Sequence, residues 1–365
     1  MLKHLRTTAT AAALVVSGTL LIGAGTAAAH PGKPGHGKPD PGTPLRVAAD
    51  RAHVKFGTAV NTTALADDAT YRRITAQQFS SVTAENVMKW ETLQPQRGVY
   101  DFTEADRLVA FARAHGQSVR GHTLLWHNQL PAWLTEGLAD GSIDAAELRG
   151  ILRDHITTVV RHFKGKLYQW DVVNEVFEED GSYRNSIWLE KLGPGYIADA
   201  FRWAREADPN VKLFFNDYNV EGVNAKSTAY YGLAKQLKAR GVRVDGFGIQ
   251  GHLSTQYGFP GDVGANLKRF ADLGLQTAFT EVDVRVPLPA DPAKLATQAD
   301  YYRGLLSACL GSRSCTSFTV WGFADQYSWV PGVFDGEGAA CLYDESYRTK
   351  PAFDALRAEL RQGRH

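Results

Sequence analysis

The sequence predicts an α/β fold, a closed (β/α)8 TIM barrel forming a single domain. Three observations carry that prediction. Short apolar or β-branched runs occur eight times along the chain, each short enough to be a strand covered on both faces. Each run is followed by a segment whose apolar residues recur three or four apart. About 320 residues remain once the N-terminal tract is set aside, enough for one large core.

The runs lie near residues 54–60, 80–86, 118–126, 168–175, 212–219, 246–252, 276–284 and 317–325. Helical spacing is clearest where Leu148, Ile151, Leu152, Ile156, Val159, Val160 and Phe163 make one apolar stripe. Further helical segments fall near 70–79, 104–115, 196–207, 225–240, 262–273, 292–310 and 351–361. Strands that alternate with helices in this number indicate a closed barrel rather than a doubly wound sheet. No segment repeats another at the sequence level.

Residues 1–29 read as a secretory signal peptide: Lys3 and Arg6, an apolar run from Ala11 to Ala24, then Ala27-Ala28-Ala29 for cleavage. A membrane anchor is the alternative, but the run is short and rich in Gly and Ala. Residues 30–44 alternate Pro and Gly with His30, His36 and lysines, a leader with nothing to bury. The domain is expected over 45–363, in a secreted, extracellular protein.

The net charge is +1 and falls to −1 without Lys3 and Arg6, with no basic cluster, which argues against nucleic acid as a partner. Abundant Trp and Tyr suit a neutral, hydroxyl-rich ligand, since sugar rings offer apolar C–H faces to aromatic faces. Export permits a disulfide. Cys309 and Cys315 close a short loop that is open to bridging, and Cys341 is left over as a small buried residue. These spacings make no tetrahedral metal site.

Chemistry in such barrels sits at the C-terminal ends of the strands. Those ends carry Glu85-Asn86-Val87-Met88-Lys89-Trp90 after strand two and Gly121-His122-Thr123-Leu124-Leu125-Trp126-His127 after strand three, with Gln129 just beyond. Strand four is Trp170-Asp171-Val172-Val173-Asn174-Glu175, and strand five ends in Asn216-Asp217-Tyr218-Asn219. Strand six ends in Gln250-Gly251-His252, strand seven carries Thr280-Glu281-Val282-Asp283, and Trp321 and Trp329 follow from strand eight. Glu175 and Glu281, on two strand ends, are the minimum equipment for cleaving a glycosidic bond: one protonates the leaving oxygen while the other attacks or stabilises the sugar carbon. The bland alternative is a pair of structural salt bridges. His122, Trp126 and Trp321 have core packing as theirs. Trp133, Trp170, His127 and Asp217 are assigned to structure rather than substrate.

With these segments in order on their strands, the chain resembles the endo-β-1,4-xylanases of glycoside hydrolase family 10 from about Pro44 to Gly363. The resemblance implies a retaining double displacement with the two carboxyls roughly 5–5.5 Å apart. It makes Glu281 the nucleophile and Glu175 the general acid and later base, with Asp283 holding His252 and His252 orienting Glu281. It gives Asn174 the sugar 2-hydroxyl, Lys89, His122 and Gln250 the reacting sugar, and Glu85 and Asn86 the next sugar out. Trp126, Trp321 and Trp329 become floor and walls, Tyr218 and Asn219 contacts on the leaving-group side. Gln129 and Trp329 crowd the place where glucose carries its hydroxymethyl group. The resemblance also pairs Cys309 with Cys315 and implies a monomer that acts on xylan and xylo-oligosaccharides, with no cofactor, no nucleic acid and no membrane.

One departure concerns the stretch after Trp329, where many members carry an arginine and this chain reads Val330-Pro331-Gly332-Val333-Phe334. Rival readings are a related barrel acting on mannan or glucan with the same two glutamates, and a catalytically inert sugar-binding barrel. The second requires a missing acid or nucleophile, and both glutamates are present.

Overall fold

Strands covered on both faces need apolar side chains throughout, and the eight apolar runs form eight parallel strands. The computed structural model describes residues 42–364. The predicted signal peptide, residues 1–29, and the leader as far as residue 41 lie outside the described residues. The strands are β1 (Lys55–Val60), β2 (Ser81–Ala84), β3 (Ser118–Gly121) and β4 (Gln169–Asn174). They continue as β5 (Lys212–Asp217), β6 (Gly246–Ile249), β7 (Gln276–Pro287) and β8 (Cys315–Val320). Each pairs in parallel with the next, and β8 returns to β1 with Lys55 beside Ser317, so the sheet closes without an edge.

The helices follow from their sequences. Ala145–His162 buries Leu148, Ile151, Leu152, Ile156, Val159 and Val160, the predicted stripe, with His155 on the same face. Asp144 caps it by accepting the Glu147 N–H, and Arg161 and His162 sit at its negative end. Ala225–Ala239 begins with a reciprocal capping box between Asn224 and Ser227, and Pro292–Leu310 with Asp291 and a proline in its first turn. An additional helix, Leu45–Arg51, precedes β1 and packs against the last helix, Pro351–Gln362. Among the described residues no helix is long and apolar enough to cross a membrane.

The polar tails of several predicted strands are not strand. β2 stops at Ala84 and β3 at Gly121, leaving Glu85, Asn86 and His122 to Gln129 in loops. A pleated strand turns alternate side chains to opposite faces, so it does not present consecutive groups to one mouth. After β6, Gly251 adopts φ +79°, and a separate short strand, His252–Ser254, runs beside the extension of β7 with His252 opposite Asp283.

The barrel axis is polar. Arg120 is fully buried, with Nη2 2.6 Å from Asp171 Oδ2 and Nη1 donating to Thr83 Oγ1 at 3.1 Å and to the Thr280 carbonyl at 2.8 Å. Trp170 packs on the bare backbone of Gly121, where a Cβ would lie 2.2 Å from the indole, which explains why a large aromatic fits between two neighbouring strands.

Cys309, in the last turn of the Pro292–Leu310 helix, is bonded to Cys315 at the start of β8, and Cys341 is a buried free thiol. In denaturant without reductant, one thiol of the described domain is expected to react, rising to three after reduction. For a loop this short, chain-entropy arguments give about 2 kcal/mol, so a Cys309→Ser, Cys315→Ser double variant should lose about that much in chemical unfolding.

Candidate active site

Two strand irregularities bring the carboxylates into one cleft. The register of β4 against β5 shifts between Asp171 and Val173, and that of β7 against β8 between Phe279 and Val282. Such shifts re-aim side chains. As a result Thr280 and Glu281, adjacent in sequence, both reach Asn216: Thr280 Oγ1 donates to its Oδ1 at 2.6 Å, and its Nδ2 donates to Glu281 Oε1 at 2.6 Å. Beyond β4, Glu175 adopts φ +58°, a left-handed conformation that costs a non-glycine residue energy and is held by its surroundings. Asn219, at +54°, and Gln129, at +48°, share it.

The two glutamates keep different company. Glu281 is buried beside cationic groups: Arg120 Nη2 lies 3.4 Å from Oε1 and His252 Nε2 3.5 Å from Oε2, while His122 Nδ1 stands 3.6 Å from Oε1. Burial alone pushes the Glu281 carboxyl upward, but His122, His252 and Arg120 together hold it well below the ordinary carboxylate range. Glu175 accepts hydrogen bonds from neutral groups only: Trp126 Nε1 at 2.8 Å, Asn174 Nδ2 at 3.1 Å and Gln250 Nε2 at 3.1 Å. The pair is joined through amides, since Asn216 Nδ2 donates both to Glu281 Oε1 and, at 2.8 Å, to Asn174 Oδ1.

Around this pair lies a cleft of about 660 Å³. Lys89 is buried on one wall, with Nζ 5.0 Å from the centre of the Trp126 ring, donating to Asn86 Oδ1 at 3.0 Å and Gln129 Oε1 at 2.6 Å. Burial lowers the Lys89 ammonium although the charges of Glu281, Glu85 and Glu175 oppose that, and burial raises Glu85 against the pull of Lys89. Gln129 is clamped further by donating to Glu91 Oε1 at 3.0 Å. His122 spends Nδ1 on Asp171 Oδ2 at 3.0 Å and meets the Trp321 ring edge-on at 5.2 Å. On the far side Tyr218 and Asn219 line the cleft.

All the predicted site residues line this cleft except Asp283, which sits one layer back. Its Oδ2 accepts from Trp329 Nε1 at 2.7 Å, and its Oδ1 is 3.0 Å from His252 Nδ1, an ion pair by distance although the ring N–H is poorly aligned for a hydrogen bond. Asn128, Arg285, Val333 and Phe334 also line the cleft and were not named as site residues from the sequence. The Arg285 guanidinium stacks 3.8 Å from the Phe334 ring centre and bonds to Glu337 at 2.7 Å. Thus an arginine from β7 stands next to the loop whose departure after Trp329 the sequence displays.

Arg120, Asp171, Asn216 and Thr280 were missed as site residues. A signal existed for the first two: an arginine and an aspartate inside otherwise apolar runs, where a charge is tolerated only when paired. Trp170 is buried packing, and the Trp133 indole donates to the Gln94 carbonyl at 3.0 Å, both as expected. His122, Asp171 and Glu281 place three potential metal-ligand atoms within 4.8 Å of one another, but Arg120 already bonds to two of those residues and its charge opposes a cation there.

Burial depresses the His252 imidazole, yet Asp283 and Glu281 override it and push it up to about 10. A folded value above the unfolded 6.5 means that the stability added by this proton is fully present below pH 6.5 and is lost as the pH rises toward about 10. The ring nitrogen resonances of His252 should therefore keep imidazolium values from about pH 6 to about pH 9. In Asp283→Asn the transition should move down; a transition near 6.5 in the unaltered protein contradicts the assignment.

The sequence profile of Glycosyl hydrolase family 10 matches residues 45–359. The endo-1,4-beta-xylanase of Agaricus bisporus is 44% identical over 314 residues, 86% of this chain and 93% of its own length. Native xylanase 10B from Thermotoga maritima superposes with a TM-score of 0.84 at 43% identity, covering 88% of this chain and 98% of that one. Xylanase 10B from Thermotoga petrophila RKU-1, solved in complex with xylobiose, gives the same TM-score, identity and coverage. A profile match spanning nearly the whole described domain, on a fold shared with solved xylanases at a TM-score of 0.84, leaves one conclusion: this chain belongs to glycosyl hydrolase family 10.

Proposed function

We propose that the chain is an endo-1,4-β-xylanase that cleaves internal bonds of xylan and xylo-oligosaccharides with retention of anomeric configuration. One observation carries the assignment of roles: of two carboxylates in one cleft, Glu281 has cationic neighbours and Glu175 only neutral donors. A group held ionised is suited to attack, and a group free of cationic hydrogen-bond partners is suited to carry a proton.

In the first step a Glu281 oxygen bonds to the anomeric carbon while the glycosidic bond breaks and Glu175 gives its proton to the departing oxygen. Ester formation removes the charge on Glu281. Glu175, now ionised beside a neutral ester, takes a proton from water as the water oxygen attacks the anomeric carbon, and Glu281 leaves as carboxylate. His252, held by Asp283, orients Glu281, and Asn174 donates to the 2-hydroxyl, a contact that strengthens in the transition state. Lys89, His122 and Gln250 contact the reacting sugar, and Glu85 and Asn86 the next one. Trp126, Trp321 and Trp329 supply aromatic walls, and Tyr218 and Asn219 bind the leaving side.

Selectivity for xylose rests on crowding by Gln129 and Trp329. Gln129 is suited to this, being fixed by Lys89, Glu91 and Asn86 rather than free to swing away. The relative from Thermotoga petrophila, solved with xylobiose, supports the substrate class. A secretory signal at residues 1–29 and the Cys309–Cys315 bond support a secreted enzyme.

Initial rates on xylan should exceed those on mannan and carboxymethylcellulose; equal rates on mannan or cellulose overturn the substrate assignment. Glu281→Gln should reduce xylan hydrolysis to background, and Glu175→Gln by about 10²–10⁴-fold in turnover. Gln129→Ala should raise activity on glucose-based substrates relative to xylan, and an unchanged ratio removes its crowding role.

A further inference from the structure

The residue read as the proton carrier, Glu175, has a left-handed backbone that its surroundings must hold in place. Its φ of +58° has no glycine to ease it. Two side chains grip the peptide that follows. Tyr230, fully buried on the Ala225–Ala239 helix, accepts the Val176 N–H at 3.1 Å and donates its own hydroxyl to Asp217 Oδ2 at 2.7 Å. Arg184 Nε donates to the Glu175 carbonyl at 2.8 Å, and the Arg184 N–H donates to the Val176 carbonyl at 2.8 Å.

Asp217 is anchored in turn. Its Oδ1 accepts the Tyr218 N–H at 2.8 Å and lies 3.0 Å from Nζ of Lys226, a fully buried lysine. That ammonium stands 3.5 Å from the centre of the Tyr218 ring, and the Tyr218 hydroxyl is 2.9 Å from Arg184 Nη2. The contacts form a closed circuit from the Glu175 peptide through Tyr230, Asp217, Lys226, Tyr218 and Arg184 back to Glu175. Tyr218 lines the cleft, so one end of the circuit is the wall on the leaving side and the other is the acid.

We propose that Tyr230, backed by Asp217, and Arg184 are positioning residues for the acid–base carboxyl: they clamp the strained Glu175 peptide so that its proton meets the leaving oxygen of a sugar seated against Tyr218. This rests on the reading of Glu175 as acid–base. None of the three lines the cleft, and the Phe177, Phe215 and Phe247 rings around Tyr230 give its ring the same packing whether or not the hydroxyl is present. A displacement of the acid of about 1 Å is worth as much as 10²-fold in rate.

The test compares two leaving groups on the same enzyme, reading kcat/KM, which reports the first bond cleavage. One substrate is xylohexaose, whose departing sugar needs a proton. The other is dinitrophenyl β-xylobioside, whose phenolate departs unaided. Glu175→Ala comes first: it should lose far more on xylohexaose than on the aryl substrate, and if both fall alike the acid–base reading itself fails. With that in hand, Tyr230→Phe should lose about ten- to a hundredfold on xylohexaose and less than about twofold on the aryl glycoside. Equal losses on both substrates, or no loss on either, overturn the clamp. Should Tyr230→Phe not fold, Arg184→Gln reads the same selectivity from a half-buried position, and its failure to discriminate between the substrates overturns the proposal equally.

Discussion

The contact on which the site depends is the one between Arg120 and two carboxylates on the barrel axis, Asp171 at 2.6 Å and Glu281 at 3.4 Å. An ion in a low-dielectric interior loses several kcal/mol of solvation unless a partner restores it. Arg120 restores it for Glu281 from below, and the His252 imidazolium, sustained by Asp283, restores it from the side. Asp171 completes the balance by binding both Arg120 and His122. Remove the guanidinium and two buried carboxylates lose the cation they share; remove the carboxylates and an arginine is stranded in the core. The charge of Glu281, the proposed nucleophile, is thus built into the same interactions that fill the barrel interior.

A barrel of regular strands does not make this site. Regular pleating sends neighbouring side chains apart, yet Thr280 and Glu281 converge on Asn216, and Asn174 and Glu175 on each other. The register shifts in β4 and β7 and the left-handed turn at Glu175 produce that convergence. They also place unfavourable backbone at Glu175, the proposed acid–base residue, where the surrounding packing must oppose it. Neighbouring elements provide the opposition: Tyr230 from a helix, Arg184 from the loop after β4, and Asn216 from β5.

The cleft walls obey the same economy of shared partners. Lys89, Gln129, Asn86 and Glu91 form one network in which each side chain limits the freedom of the next, so the wall proposed to select xylose is rigid before any sugar arrives. Trp329 is tied to Asp283 by its indole N–H and meets the His252 ring edge-on, which couples this aromatic side chain to the imidazole beside Glu281. The proposed binding wall and the proposed catalytic pair therefore share hydrogen-bond and ring partners.

Apolar periodicity alone was enough to read the alternation of strands and helices, because burial on two faces or along one stripe dictates residue type at short range. That the two glutamates would share one cleft with amides and indoles was legible for a related reason: such groups at the ends of apolar runs have few structural uses, and here they recur on strand after strand. Where each strand stops was not legible, as with Gly251 parting His252 from β6, since that depends on which backbone groups find ladder partners. Nor was the role of Arg120, Asn216 or Tyr230. An arginine in an apolar run announces that it needs a counter-charge without saying which, and a tyrosine in a helix stripe looks like any core aromatic. Only the closed barrel, by bringing residues more than a hundred positions apart to within hydrogen-bonding distance, decided that Arg120 meets Glu281 and so that Glu281 is held ionised.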